Sequence, residues 1–318
     1  MKRLGVFLLI VLAHLLAVSG CGTDTADENA VDEGSTEQGE DGPAAIVVDQ
    51  MGREVVFTET AKRIVSISPA STEIVFALGL GENLIAVTDY CNYPEEALAA
   101  KDKIGDYSNP NLEKIMAMEP DLVLADSWHK EVVLRLEDLE VSVLVLAPES
   151  IEEIYEALEM IAAAAGAVER CEELKAEMTE RLSAIAEKLS SLDEEDKVRV
   201  YYEVYSDPLM SIGNQSLIHE IITLARGKNI FADIDDNYPV VSAEVVAERE
   251  PQIILYPAYH GSEEIVLGSL QERPGWGGLP AIKEGRIHGV DEDKFSRHGP
   301  RVVEAVEEAA QLFYPELF

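Results

Sequence analysis

The strongest constraint on the fold is a repeat. Glu113 is followed six residues later by Glu119-Pro120 and then by the apolar run Leu122-Val123-Leu124. Glu244 is followed six residues later by Glu250-Pro251 and then by Ile253-Ile254-Leu255. Each segment runs on to an aromatic–histidine pair, Trp128-His129 and Tyr259-His260, with the histidine nine residues past the proline in both. A helix–Glu-Pro–strand unit that recurs with matched spacing at both ends argues for two related lobes.

Around the repeat, short apolar runs alternate with amphipathic stretches. Ile64–Ile67, Leu84–Val87, Leu122–Ala125 and Val141–Leu146 read as strands, and Ser71–Leu78 reads as a helix ended by Gly79 and Gly81. Such alternation implies a mostly parallel sheet with helices on its faces. From Ile151 to Leu192 the chain is rich in Ala, Glu, Leu and Lys, lacks proline and has Gly166 as its one glycine. Leu174, Met178, Leu182, Ile185 and Leu189 recur there at helical spacing, which predicts a helix before Gly166 and a long one after it. Val198–Val204 restarts the alternation. The fold expected is α/β, with two Rossmann-like lobes at 46–150 and 193–318 joined by a helical connector at 151–192, and a ligand cleft between the lobes.

The N-terminus reads as an export signal over residues 1–21. Lys2 and Arg3 precede an apolar stretch from Leu4 to Val18, and Ser19-Gly20 lead into Cys21. The run Leu16–Cys21 resembles a bacterial lipobox, which implies cleavage before Cys21 and lipidation of its sulfur. Residues 22–45 are acidic, with no lysine or arginine, and are expected to form an extended disordered spacer. The mature chain is thus expected outside the cytoplasm, tethered to the cell membrane and monomeric. A formal net charge of -36 argues against nucleic-acid binding. Cys91 and Cys171, the cysteines beyond Cys21, make no disulfide framework and are read as two free buried thiols.

In open α/β sheets ligands bind beyond the carboxyl ends of the strands. The two aromatic–histidine pairs fall there, and further aromatics lie in loops: Tyr90, Tyr93, Tyr107 and Tyr238. Together they offer flat, stiff surface for a large planar ligand. His129 and His260 are candidates to ligate the metal of such a ligand. Glu113 and Glu244 each sit early in a helix behind a good cap, Asn111 or Ser242, where the helix dipole favours a carboxylate.

These residues resemble the binding proteins of iron-chelate and cobalamin ABC importers, the class with two α/β lobes joined by one long rigid helix. The carriers are Gly52-Arg53-Glu54-Val55, Arg63–Pro69, Thr72-Glu73-Ile74, Asn111–Ile115, Glu119–Val123 and Phe295-Ser296-Arg297-His298-Gly299-Pro300-Arg301. The resemblance implies that Glu113 and Glu244 dock onto arginines of the permease and that lobe closure is a small rocking. Val87–Pro94 most resembles the cobalamin-binding branch. By that likeness Tyr90, Tyr107, Met210, Tyr238, Asp293 and Arg297 contact the ligand, with Trp128 and Tyr259 beside them. Asp126 stands where an aromatic can line the pocket. The function implied is capture of cobalamin, with no cofactor of the protein's own, and delivery to an importer permease and its ATPase; iron-siderophore or haem carriage is the alternative.

Other classes fit poorly. The sequence has no Walker loop, no Gly-x-Ser-x-Gly elbow and no His-Glu-x-x-His pair, so no enzymatic reading is supported. Its histidines are scattered singly, unlike the converging set that a carrier of free transition metal needs.

Overall fold

The computed structural model describes residues 44–95, 99, 101–258 and 263–318, and at 263–265 the backbone alone. It opens on an antiparallel hairpin, β1 (Ala45–Val48) and β2 (Glu54–Phe57), with Ile46 opposite Val56. Alternation turns Val47 and Phe57 inward and leaves Ile46, Val48 and Val56 exposed. β1 begins at Ala45, one residue inside the stretch expected to form the spacer.

The first lobe then follows as β3 (Ile64–Ser66), α1 (Pro69–Ala77), β4 (Leu84–Val87), β5 (Asp102–Lys103), α2 (Leu112–Ala117), β6 (Leu122–Asp126), α3 (Lys130–Glu137) and β7 (Val143–Leu146). Its five strands are parallel in the order β5-β4-β3-β6-β7. β3 and β7 are buried throughout, as strands covered on both faces should be. The chain leaves β3 toward one edge and returns to the other side at β6, which places a switch point between those two strands.

Two helices come next, α4 (Ile151–Ala165) and α5 (Val168–Lys188). Gly166 joins them at φ 72°, and a Cβ there would meet Thr60 Cγ2 at 2.9 Å, so the left-handed turn and the close approach both require glycine. The second lobe contains β8 (Arg199–Tyr202), a small hairpin of β9 (Tyr205–Ser206) and β10 (Leu209–Met210), α6 (Leu217–Leu224), β11 (Lys228–Asn229), α7 (Ala243–Glu248), β12 (Ile253–Ala258), α8 (Glu263–Gln271), α9 (Pro280–Lys283), β13 (Ile287–Asp291), α10 (Glu292–Ser296) and α11 (Val302–Phe313). Its parallel sheet runs β11-β8-β12-β13, with the same reversal between β8 and β12. α5 packs on α4 on one side and on α11 of the second lobe on the other. Leu174, Met178 and Ile185 on α5 belong to one apolar core that reaches into both lobes.

The two lobes repeat in atomic detail. Glu119 (φ 47°) and Glu250 (φ 46°) both take the left-handed conformation before their prolines. Arg63 Nε donates to the Glu119 carbonyl at 3.0 Å, and Arg199 Nε donates to the Glu250 carbonyl at 2.9 Å. The amide of Arg63 donates to Asp121 Oδ1 and that of Arg199 to Gln252 Oε1, both at 2.9 Å. Among the described residues no helix is long and apolar enough to cross a membrane.

Candidate ligand cleft

A cavity of about 520 Å³ lies between the lobes, lined by the segments that follow their strands. From the first lobe come Ser68–Ser71 after β3, Tyr90 after β4, Asp126–Trp128 at the end of β6 and Ala147–Glu149 after β7, with Tyr107 from the loop before α2. From the second come Gln215–Leu217 at the start of α6, Asn237-Tyr238, and Ser296–His298 after α10. The volume falls within the range of small-molecule sites.

On the first lobe one polar cluster fixes the aromatic wall. The Tyr107 hydroxyl donates to Asp126 Oδ2 at 2.5 Å, and the Tyr107 carbonyl lies 2.7 Å from His129 Nε2. Asp126 Oδ1 accepts from the Trp128 amide at 3.1 Å and lies 2.9 Å from His129 Nδ1. Asp126 and His129 thus cap a short 3₁₀ turn (Ser127–His129) reciprocally. The turn lifts Trp128 to 85% exposure beside the cavity. Burial, then the hydrogen bond to Asp126, pushes the Tyr107 phenol well above its usual pKa. Burial pulls the His129 imidazole down, but the hydrogen bonds and charge of Asp126 and the Tyr107 carbonyl outweigh it, and its pKa is raised.

On the second lobe Arg297 is held from several sides. Its Nη1 is 2.8 Å from Glu73 Oε1 and donates to Asn92 Oδ1 at 2.6 Å, and its Nη2 is 2.8 Å from Asp293 Oδ1. Tyr238 and Asn237 sit on a loop laced to the segment before α6: the Ser211 amide donates to the Pro239 carbonyl at 3.0 Å and the Gly213 amide to the Asn237 carbonyl at 3.1 Å. A Cβ at Gly213 would fall 2.1 Å from the Asp236 carbonyl oxygen, so only glycine lets the two segments close up. Burial pushes the Tyr238 phenol up.

The structure brings Tyr90, Tyr107, Trp128, Tyr238 and Arg297 around one cavity. Met210 is not among its lining residues: it pairs with Tyr205 in the small hairpin and bridges to Val240. Asp293 is also off the wall and acts through Arg297 and through Asn92, whose Nδ2 donates to it at 2.8 Å. His129 corrects the metal-ligand expectation: its side chain is 1% exposed and both ring nitrogens are engaged, so it offers no lone pair to a ligand. Tyr259 and His260, like Cys21, lie outside the described residues. Glu113 and Glu244 are exposed early in α2 and α7, behind Asn111 and Ser242, whose side chains accept from the amides of Lys114 and Val245 at 3.0 and 3.3 Å. Backbone and Ser242 hydrogen bonds hold the Glu244 carboxyl below its usual pKa. Cys91 and Cys171 are buried free thiols, and Cys91 Sγ packs 3.2 Å from Thr72 Oγ1.

Two wall residues were missed from sequence. His298 lines the cavity, and burial, against a smaller pull from the Glu153 charge, lowers its pKa and keeps it neutral. Asn237 carries a buried side-chain oxygen without a partner among the described residues. His298 was in plain view inside the late motif, whereas nothing in the local sequence marks Asn237.

Residues 64–294 match the family described as "Periplasmic binding protein". Over its full length the chain is 32% identical to an uncharacterized ABC transporter substrate-binding lipoprotein, YvrC of Bacillus subtilis (strain 168), of which 99% is covered. Among solved structures it resembles the periplasmic vitamin B12 binding protein BtuF of Vibrio cholerae (TM-score 0.68, 26% identity, 80% of this chain and 97% of that one). It also resembles the periplasmic heme-binding protein RhuT from Roseiflexus sp. RS-1 in apo form (TM-score 0.71, 26% identity, 81% of this chain and 100% of that one).

Proposed function

We propose that this chain, which belongs to the periplasmic binding protein family, captures cobalamin between its lobes and delivers it to the permease of an ABC importer. The observation that carries this reading is the charge of the cleft. Among the described lining residues Arg297 is the one permanent cation, and it is already paired with Glu73 and Asp293. Asp126 and Glu149 line the same cavity. Haem propionates and anionic siderophores call for unspent basic groups. A corrin instead carries peripheral amides, which can satisfy Asn237 and His298 while its faces lie against Tyr90, Tyr107, Trp128 and Tyr238.

The action is capture and release without bond chemistry, consistent with a family of transport components. The likeness to a substrate-binding lipoprotein supports anchoring outside the cytoplasm through Cys21 and work with a permease and its ATPase. Glu113 and Glu244, exposed at equivalent places on the two lobes, are the proposed docking pair. Likeness to the haem-binding RhuT keeps haem as the second reading.

Calorimetric titration of the full chain with cyanocobalamin, haemin and a ferric siderophore tests the assignment. Saturable one-to-one binding of cyanocobalamin is expected. Heat from haemin or the siderophore with silence from cyanocobalamin would overturn it.

A further inference from the structure

Glu73 is the least expected residue near the cleft. It lies on α1 in the first lobe, its side chain is 2% exposed, and its partners come from the far end of the chain. Arg301 Nε donates to Glu73 Oε2 at 2.8 Å and Arg301 Nη2 to Oε1 at 2.7 Å, a bidentate pair, while Arg297 Nη1 reaches Oε1 at 2.8 Å. The Arg301 guanidinium also lies 4.1 Å over the Tyr93 ring of the first lobe. One buried carboxylate therefore pins two arginines of the second lobe to the first, and one of those arginines, Arg297, lines the cavity.

We infer that Glu73 is a specificity-determining residue: by holding Arg297 it neutralises the cleft and excludes anionic chelates. The inference rests on the cobalamin reading for the identity of the accepted ligand. A carboxylate entering the cleft could recruit Arg297 only by competing with Glu73 and Asp293. That competition would also loosen a contact that joins the lobes. An anion that takes Arg297 strips the buried Glu73 carboxylate of one of its two cationic partners and leaves it with Arg301 alone, which weakens a desolvated ion cluster. An amide-bearing ligand asks for no such exchange. The pin does not touch the ligand itself; it sets which charge the cleft tolerates.

The test uses two corrins of like shape and opposite periphery: dicyanocobinamide, whose side chains are amides, and dicyanocobyrinic acid, whose side chains are carboxylates. Haemin serves as an unrelated anion. Titrations of the full chain at low salt compare wild type with Glu73→Gln, and with Asp293→Asn as the milder variant on a partly exposed partner of the same arginine. The wild type should prefer the amide corrin. Either variant should shift the acid-to-amide affinity ratio toward the acid by about tenfold, which is ~1.4 kcal/mol, and added salt should erase the gain. Circular dichroism checks that each variant is folded; if Glu73→Gln is not, Asp293→Asn decides. An unchanged ratio in the folded variants overturns the inference. If wild type binds haemin and neither corrin, the cobalamin reading falls, and the pin is then judged by whether the variants bind haemin more tightly. Binding of none of the three by wild type overturns both.

Discussion

Tyr107 donates its hydroxyl to Asp126 across 2.5 Å, and that bond joins a loop before α2 to the end of β6. Asp126 in turn accepts from the Trp128 amide and contacts His129, so one carboxylate orients two aromatic residues of the cleft. A flat ligand benefits when its contacts are ordered before it arrives, at ~0.5–1.5 kcal/mol per side chain.

Asp126→Ala is therefore expected to weaken cyanocobalamin binding up to about tenfold and to lower stability by ~1–3 kcal/mol, because it removes the acceptor of the half-buried Tyr107 hydroxyl and the carboxylate beside the buried His129 ring. Tyr107→Phe, which removes one hydroxyl and keeps the ring, should do less on both counts. Urea unfolding read beside ligand titration checks this. Equal affinity in Asp126→Ala and wild type would show that the cluster does not shape the cleft.

The same cluster predicts a pH dependence. The folded pKa of His129 is raised, so its stabilising share is fully present below the unfolded value near 6.5 and is lost as pH rises through the folded value. His219, His288 and His298 are lowered by burial and act in the opposite sense, so the measurement must be a difference. The gap in unfolding free energy between wild type and His129→Gln should be larger at pH 5.5 than at pH 8.5. A gap that widens toward high pH would mean that the imidazole folds neutral.

His129 also shows where the sequence was readable and where it was not. The repeat identified the paired strands and the glutamates because it rests on local spacing. It could not say whether a histidine after a strand faces the cleft or closes a turn beneath it. The spacing of Asp126 to His129, an N-cap and its third residue, was the available signal for a capping pair. Met210 was misplaced for a related reason: the hairpin of β9 and β10 has two residues per strand, too short to show any alternation. Glu73 and Arg301 were visible as motif residues, but their contact spans 228 positions and follows from how the lobes pack, which no window of sequence contains.

Glu119 and Glu250 make the repeat a stability prediction. A side chain in the left-handed conformation costs ~1–2 kcal/mol, of which glycine's extra unfolded-state entropy offsets ~0.5–1 kcal/mol. Glu119→Gly and Glu250→Gly should each stabilise the fold by ~0.5 kcal/mol. The two gains should add, since the residues share no partner. Destabilisation in either single variant would show that its glutamate side chain matters in a way the backbone does not account for.

The exposed glutamates carry the test of delivery. Glu113 and Glu244 follow equivalent caps in the two lobes, and neither lines the cleft. Charge at an interface rim governs encounter and orientation, and a like charge set against a basic patch opposes docking. Reversal of both, Glu113→Arg with Glu244→Arg, should therefore abolish uptake of labelled cobalamin into cells while ligand titration of the purified chain stays at the wild-type value. Each single reversal should give an intermediate rate, because the opposite lobe still presents its carboxylate. The Arg variants also place a cation at the positive end of a helix, so unfolding is measured in parallel to separate a loss of docking from a loss of fold. Normal uptake by a folded double variant would remove these residues from the docking surface and leave the cleft assignment untouched.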